Sequence, residues 1–124
     1  IGSPQMNFIK SDIVSATAKE AKVAVPGGGT VTVSAPGRKA GEKVTLGMRP
    51  EHMTYDPKGP VKATVANVEQ LGDSHLIYGR LADGSQLLAR AAGQTAAQAD
   101  EVISLSAEQS RCHLFDESGQ RISV

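Results

Sequence analysis

Arg49-Pro50-Glu51-His52 is the densest run of reactive side chains in the sequence. Arg, Glu and His in one place could bind an anion or move a proton. Neighbours along an extended chain point to opposite faces, however, and Pro50 cannot donate to a strand ladder. The run therefore reads as a corner at the end of a strand, with Arg49 and Glu51 fixing the loop by hydrogen bonds and an ion pair. Gly72-Asp73-Ser74-His75 contains the residue types of a nucleophilic triad, but a triad needs groups converging from separate elements. Gly72 and Asp73 are turn formers, and a turn explains the run better. His52, His75 and His113 lie far apart and have no Cys or His two to five residues away in the pattern of a structural zinc site, so no metal is expected. Cys112 is the one cysteine, which forbids an internal disulfide. Arg111 and His113 beside it could lower its thiol pKa, yet the ordinary place for such a cysteine is a small buried position.

The elements that must carry these residues are short. Turn signals recur at Gly2–Pro4, PGGG at 26–29, APG at 35–37, DPKGP at 56–60, LGD at 71–73, ADG at 82–84 and ESG at 117–119. Between them lie runs rich in Val, Thr, Ile and Leu, the pattern of an all-β sandwich or barrel. The clearest unit is KVAV-PGGG-TVTV, Lys22 to Val33, with valines at every second position and glycines for the return. A phosphate-binding loop would need Lys-Ser/Thr leading into a helix, and the Thr-Val-Thr-Val that follows here is strand chemistry. Val44, Leu46 and Met48 alternate with Thr45, Gly47 and Arg49, and the internal glycine predicts a bulge or a close approach. Val61, Ala63 and Val65 hold one phase that Val68 breaks, which predicts a bulge. His75, Ile77, Gly79 and Leu81 face one side and Leu76, Tyr78 and Arg80 the other, so residues 75–81 carry apolar groups on both faces and read as a central strand. Residues 91–100 read as a loop or a single helical turn, and two or three strands follow. LADGSQ at 81–86 is a β-turn.

Composition narrows the function classes. The formal net charge is zero, and the 124 residues include two Tyr, two Phe and no Trp. A general nucleic-acid binder would show a basic footprint and stacking aromatics, so none is expected as a partner. The core must be built from Val, Leu, Ile, Ala and Met, and Leu114 and Phe115 read as part of it. No apolar run reaches the ~18 residues of a membrane helix, and no signal peptide is visible. No GxxxxGK[ST] occurs, so phosphate-loop ATP hydrolysis is not expected of these residues.

Four stretches in order carry a family resemblance: IGSPQMNFI at 1–9, VTLGMRPEHM at 44–53, VEQLGDSHLIYGRL at 68–81 and RCHLFDESGQRI at 111–122. Together they resemble the C-terminal regulatory region of the ATP-binding subunits of carbohydrate ABC importers of the maltose and glycerol-phosphate type. The resemblance implies an OB-like, MOP/TOBE-type barrel of short antiparallel strands occupying residues 1–124. It implies that the nucleotide-binding domain precedes this region, so that ATP and Mg belong to the parent and no cofactor to this part. It implies a non-catalytic role in holding the ATPase homodimer together. The partners would be a second copy, the transporter's membrane subunits and, in some members, a regulatory protein, at the cytoplasmic side of the cell membrane. Interface or regulatory residues would be Arg49, Glu51 and His52 at one corner, Gly72, Asp73, Ser74 and His75 at another, and His113, Phe115 and Asp116 near the end. An alternative is a small oxyanion sensor like the molybdate-binding relatives, with Thr45 and Ser74 as candidate contacts.

Overall fold

The computed structural model describes residues 5–124, and the turn expected at Gly2–Pro4 lies outside them. Ten strands account for the architecture: β1 (Asn7–Ala16), β2 (Glu20–Ala24), β3 (Thr30–Ser34), β4 (Lys43–Met48), β5 (Met53–Tyr55), β6 (Val61–Leu71), β7 (Ser74–Arg80), β8 (Gln86–Ala92), β9 (Val102–Ala107) and β10 (Cys112–Phe115). Two single 3-10 turns, Pro50–His52 and Gln109–Arg111, complete it. The strands form two five-stranded sheets, ordered β10-β4-β1-β2-β3 and β5-β9-β6-β7-β8, and every pairing is antiparallel. The all-β reading is correct.

Each sheet curls until its edges nearly meet, which removes exposed edges. In the first barrel the gap between β3 and β10 is bridged by the end of the chain. Ile122 donates its N–H to the Leu114 carbonyl at 2.8 Å, and Val124 donates to the Ser34 carbonyl at 2.9 Å. Gln109 adds side-chain bonds to Glu20 at 2.8 Å and to Ser34 at 3.1 Å. In the second barrel, β5 and the Pro50–His52 turn pack against β8. Asn7 ties the two barrels. Its Nδ2 donates to the Leu88 carbonyl at 2.8 Å and its Oδ1 accepts from the Leu88 N–H at 2.8 Å, so a side chain takes the place of a strand partner at the β8 edge.

β2 and β3 form the hairpin, with Val23 opposite Val31 and Gly27 and Gly28 at φ of 102° and 101°. Glycine alone enters that region at little cost. β6 shifts register between Val65 and Asn67, the bulge that the broken phase predicts. β7 sits between β6 and β8, and Ser74 to Ile77 are all buried. Gly47 makes no bulge: it pairs in register with Phe8 on one side and His113 on the other. The glycine instead leaves room, since a Cβ there would lie 2.5 Å from Met6 Sδ and 2.9 Å from a Phe115 ring carbon. Residues 93–101 form a loop without a helical turn.

The core is one continuous aliphatic cluster. Val23, Val33, Leu46, Met48 and Leu114 of the first barrel meet it, as do Val61, Val65, Ile77 and Leu105 of the second. No aromatic residue belongs to it. Phe8, Tyr55 and Tyr78 are exposed, and Phe115, which the sequence placed in the core, is only partly buried. The reason is phase: Leu114 points inward on β10, so Phe115 must point outward.

Candidate interface on the outer face of the first barrel

The alternation that buries Val44, Leu46 and Met48 on β4 turns Thr45 and Gly47 outward. Phe8 of β1 and His113 of β10 flank Gly47, and Phe115 lies opposite Thr45. The Phe8 and Phe115 rings meet edge to face above the glycine, with centroids 5.8 Å apart and planes at 68°. Such a pair is favourable beyond its area, yet Phe8 remains 57% exposed. Val14, farther along β1, is also exposed, and a groove of about 620 Å³ runs from Met6 and Phe8 toward Tyr78 and Leu88.

The rim is cationic. Arg49 is exposed just beyond β4, and Arg121 is held beside Phe115 by an isolated antiparallel bridge. Burial, then the charges of Arg121, Arg49 and His52, keep the His113 imidazole below its usual pKa. The corner at residues 49–52 is a 3-10 turn closed by the backbone, with the His52 N–H donating to the Arg49 carbonyl at 3.0 Å and Pro50 buried. An Arg49–Glu51 ion pair is absent among the described residues; the ion pairs there are Arg38–Glu42, Lys43–Asp12 and Arg111–Glu108. The rigid Pro50 turn makes such a pair unnecessary for the corner.

The remaining candidates lie elsewhere. Gly72 and Asp73 form the exposed tip of the β6–β7 hairpin, Gly72 at φ 56°. Ser74 and His75 turn inward, with His75 2% exposed. His75 Nδ1 faces the Gly93 carbonyl at 2.8 Å and so carries the proton, while Nε2 lies 2.9 Å from the Tyr55 hydroxyl and accepts from it when neutral. That ring is a strut between loops. Ser74 and Thr45, the candidate oxyanion contacts, sit on different barrels. Asp116 accepts hydrogen bonds from the Ser118 N–H and hydroxyl and from the Gln120 N–H, which hold its carboxyl below the usual range. It orders the last turn. Burial pushes the Cys112 thiol up to about 11, so the neighbouring cations do not make it a nucleophile. His52 and His113 come near each other while His75 lies in the other barrel, and no group of three metal-ligating side chains occurs among the described residues. Among those residues, no helix is long and apolar enough to cross a membrane.

Phe8, Met6 and Arg121 are the members of this face that sequence reasoning missed. The signal was present: Phe8 shares its phase on β1 with Lys10 and Asp12, not with Ile9 and Ile13.

This order of strands and turns can be set against known families. Residues 46–115, from β4 through β10, match the TOBE domain. The chain belongs to the TOBE domain family. Residues 2–53 match the MalK OB fold domain, so the two descriptions overlap at β4 and the Arg49–His52 corner of this TOBE domain. Among curated proteins it is similar to the sn-glycerol-3-phosphate import ATP-binding protein UgpC of Ruegeria pomeroyi, 39% identical over 99% of this chain and 33% of that protein. It is similar to UgpC of Salmonella typhi, 38% identical over 98% of this chain and 34% of the relative. The maltose/maltodextrin import ATP-binding protein MalK of Aliivibrio fischeri is 32% identical over 97% of this chain and 34% of the relative. The TOBE domain therefore spans about a third of the length of these relatives. Among solved structures, the cytoplasmic molybdate-binding protein ModG superposes with a TM-score of 0.72 at 14% identity, covering 92% of this chain and 96% of that one. That likeness concerns the fold.

Proposed function

We propose that this TOBE domain is the non-catalytic regulatory and dimerisation module of the ATP-binding subunit of a sugar ABC importer. Its task is to keep two ATPase subunits together while their nucleotide-binding domains open and close. In the parent protein those domains would bind ATP and Mg, the membrane subunits would be partners, and the assembly would work at the cytoplasmic side of the membrane. The likeness to import ATP-binding proteins over nearly the whole chain supports the setting.

The observation that carries the dimerisation reading is the placement of the aromatics. A chain with only four Phe and Tyr residues keeps all of them out of its core and spends two on an outward-facing pair on the first barrel. Exposed aromatics on the outer face of a sheet are what a self-complementary contact needs. A fixed contact between regulatory modules raises the effective concentration for re-closure of the rest.

The reading predicts that Phe8→Asp raises the dimer dissociation constant at least about tenfold, measured by sedimentation equilibrium. Val102→Asp, at an exposed site on the second barrel, leaves it unchanged. Equal effects of the two substitutions, or no effect of the first, would contradict the proposed surface.

A further inference from the structure

Two exposed aromatic side chains border one groove from different barrels: Phe8 on β1, and Tyr78, 40% exposed, on β7. Alternation builds the wall that Tyr78 belongs to. Ile77, Gly79, Leu87 and Ala89 are buried, so Tyr78, Arg80, Gln86 and Leu88 stand on the outer face of β7 and β8. Tyr78 lies opposite Leu88 and Arg80 opposite Gln86, which sets the four side chains in two rows about 7 Å apart along the strands. The other wall is pinned beside them. Asn7 bonds both backbone groups of Leu88 at 2.8 Å, and Phe8, the next residue, points outward there. The space between, about 620 Å³, lies where the barrels meet and falls within the range of small-molecule sites.

The polar groups of this groove are unspent. Among the described residues neither the Arg80 guanidinium nor the Gln86 amide bonds to another side chain or to the backbone, and both residues are exposed. The β8 edge adds to them. Leu88 gives its N–H and carbonyl to Asn7, so those groups point away from β7, and the two-residue period turns the Gln86 N–H and carbonyl the same way. The Tyr78 hydroxyl donates to Glu69 at 3.4 Å. The groove thus combines aromatic side chains with neighbouring donors and acceptors, and no carboxylate lines it. A cation would find no counter-charge there. A wholly apolar ligand would strip water from Arg80 and Gln86 and return no bond. A neutral ring with hydroxyls on its rim and C–H groups on its faces meets both needs, because each hydroxyl donates and accepts.

We propose that the groove bordered by Phe8 and Tyr78 binds a neutral carbohydrate of one or two pyranose rings. The C–H faces of the sugar rest against the two aromatic side chains, and Arg80 and Gln86 hold its hydroxyls. Met6 and Leu88 complete the apolar lining. The groove is open to solvent, so the hydroxyls that the protein does not reach keep their water, and desolvation stays small. The site does not rest on the dimerisation reading: Phe8 belongs to both surfaces, but Phe115 does not line the groove.

The test follows the Leu88 backbone amide, the Gln86 side-chain amide and the Tyr78 ring by NMR while the purified chain is titrated with maltose. The ring of His75, buried in the second barrel, is the internal reference and reports that the fold is intact. The expected result is a saturable shift of the three groove signals with half-saturation below about 10 mM, while His75 stays still. Tyr78→Ala and Gln86→Ala, both at exposed positions, should each raise half-saturation about fivefold or more. Sorbitol, which has the hydroxyls but no ring, should give no saturable shift. No shift with maltose, or a linear one that sorbitol reproduces, would overturn the proposal. So would tighter saturation by adenosine, because the groove would then select flat aromatic ligands. Shifts that follow protein concentration instead of maltose would also overturn it, since a second copy would then fill the groove.

Discussion

His75 shows what a single buried polar residue does in a small β domain. It is nearly inaccessible, and both ring nitrogens are engaged, by Gly93 and Tyr55. Removing the ring opens a cavity and strands the Gly93 carbonyl. His75→Ala should lower unfolding free energy by about 2–4 kcal/mol, read from urea denaturation; a loss under about 0.5 kcal/mol would mean the ring is no strut. The alternation of residues 75–81 put His75 on one face with Ile77, and it indicated a central strand. Its partners were invisible because Tyr55 and Gly93 are 20 and 18 residues away. Cys112 was legible as a buried residue, since burial outweighs the cations beside it. The Arg49–Glu51 pair was misjudged, because the backbone of the Pro50 turn closes the corner without it.

At the scale of elements, the glycine and proline punctuation carried most of the information. The β2–β3 hairpin, the break of phase in β6 and the turn at residues 81–86 follow from local patterns whose geometry few other residues could meet. What closes the barrels did not follow, because closure is made by distant groups. The Leu88 edge is satisfied by Asn7, 81 positions earlier, and the β3–β10 gap by the last three residues. Asn7→Ala would leave the Leu88 N–H and carbonyl without their partner at a partly buried site. A loss of about 1–3 kcal/mol is expected, along with faster amide exchange confined to Leu88 and its neighbours on β8. Protection at Leu88 equal to that of the parent would show that the edge is sealed by something else. The outward position of Phe115 belongs to this scale too: two consecutive apolar residues on one strand cannot both face the core.

For the whole molecule, the two barrels share one aliphatic core and leave the aromatic pair on the outside. The all-β class, the OB-like barrel and the family were readable from turn spacing and from the four stretches that resemble import ATP-binding subunits. The face that would join two copies was not, because it is assembled from β1, β4 and β10, which meet only after folding. The central claim is that this face holds two copies together. A native mass spectrum of the purified chain across a concentration series tests it most directly. The account predicts a dimer that grows with concentration and has twice the mass of the 12.9 kDa chain. A chain that stays monomeric to about 1 mM, a concentration typical of a short-linker tether, would contradict it.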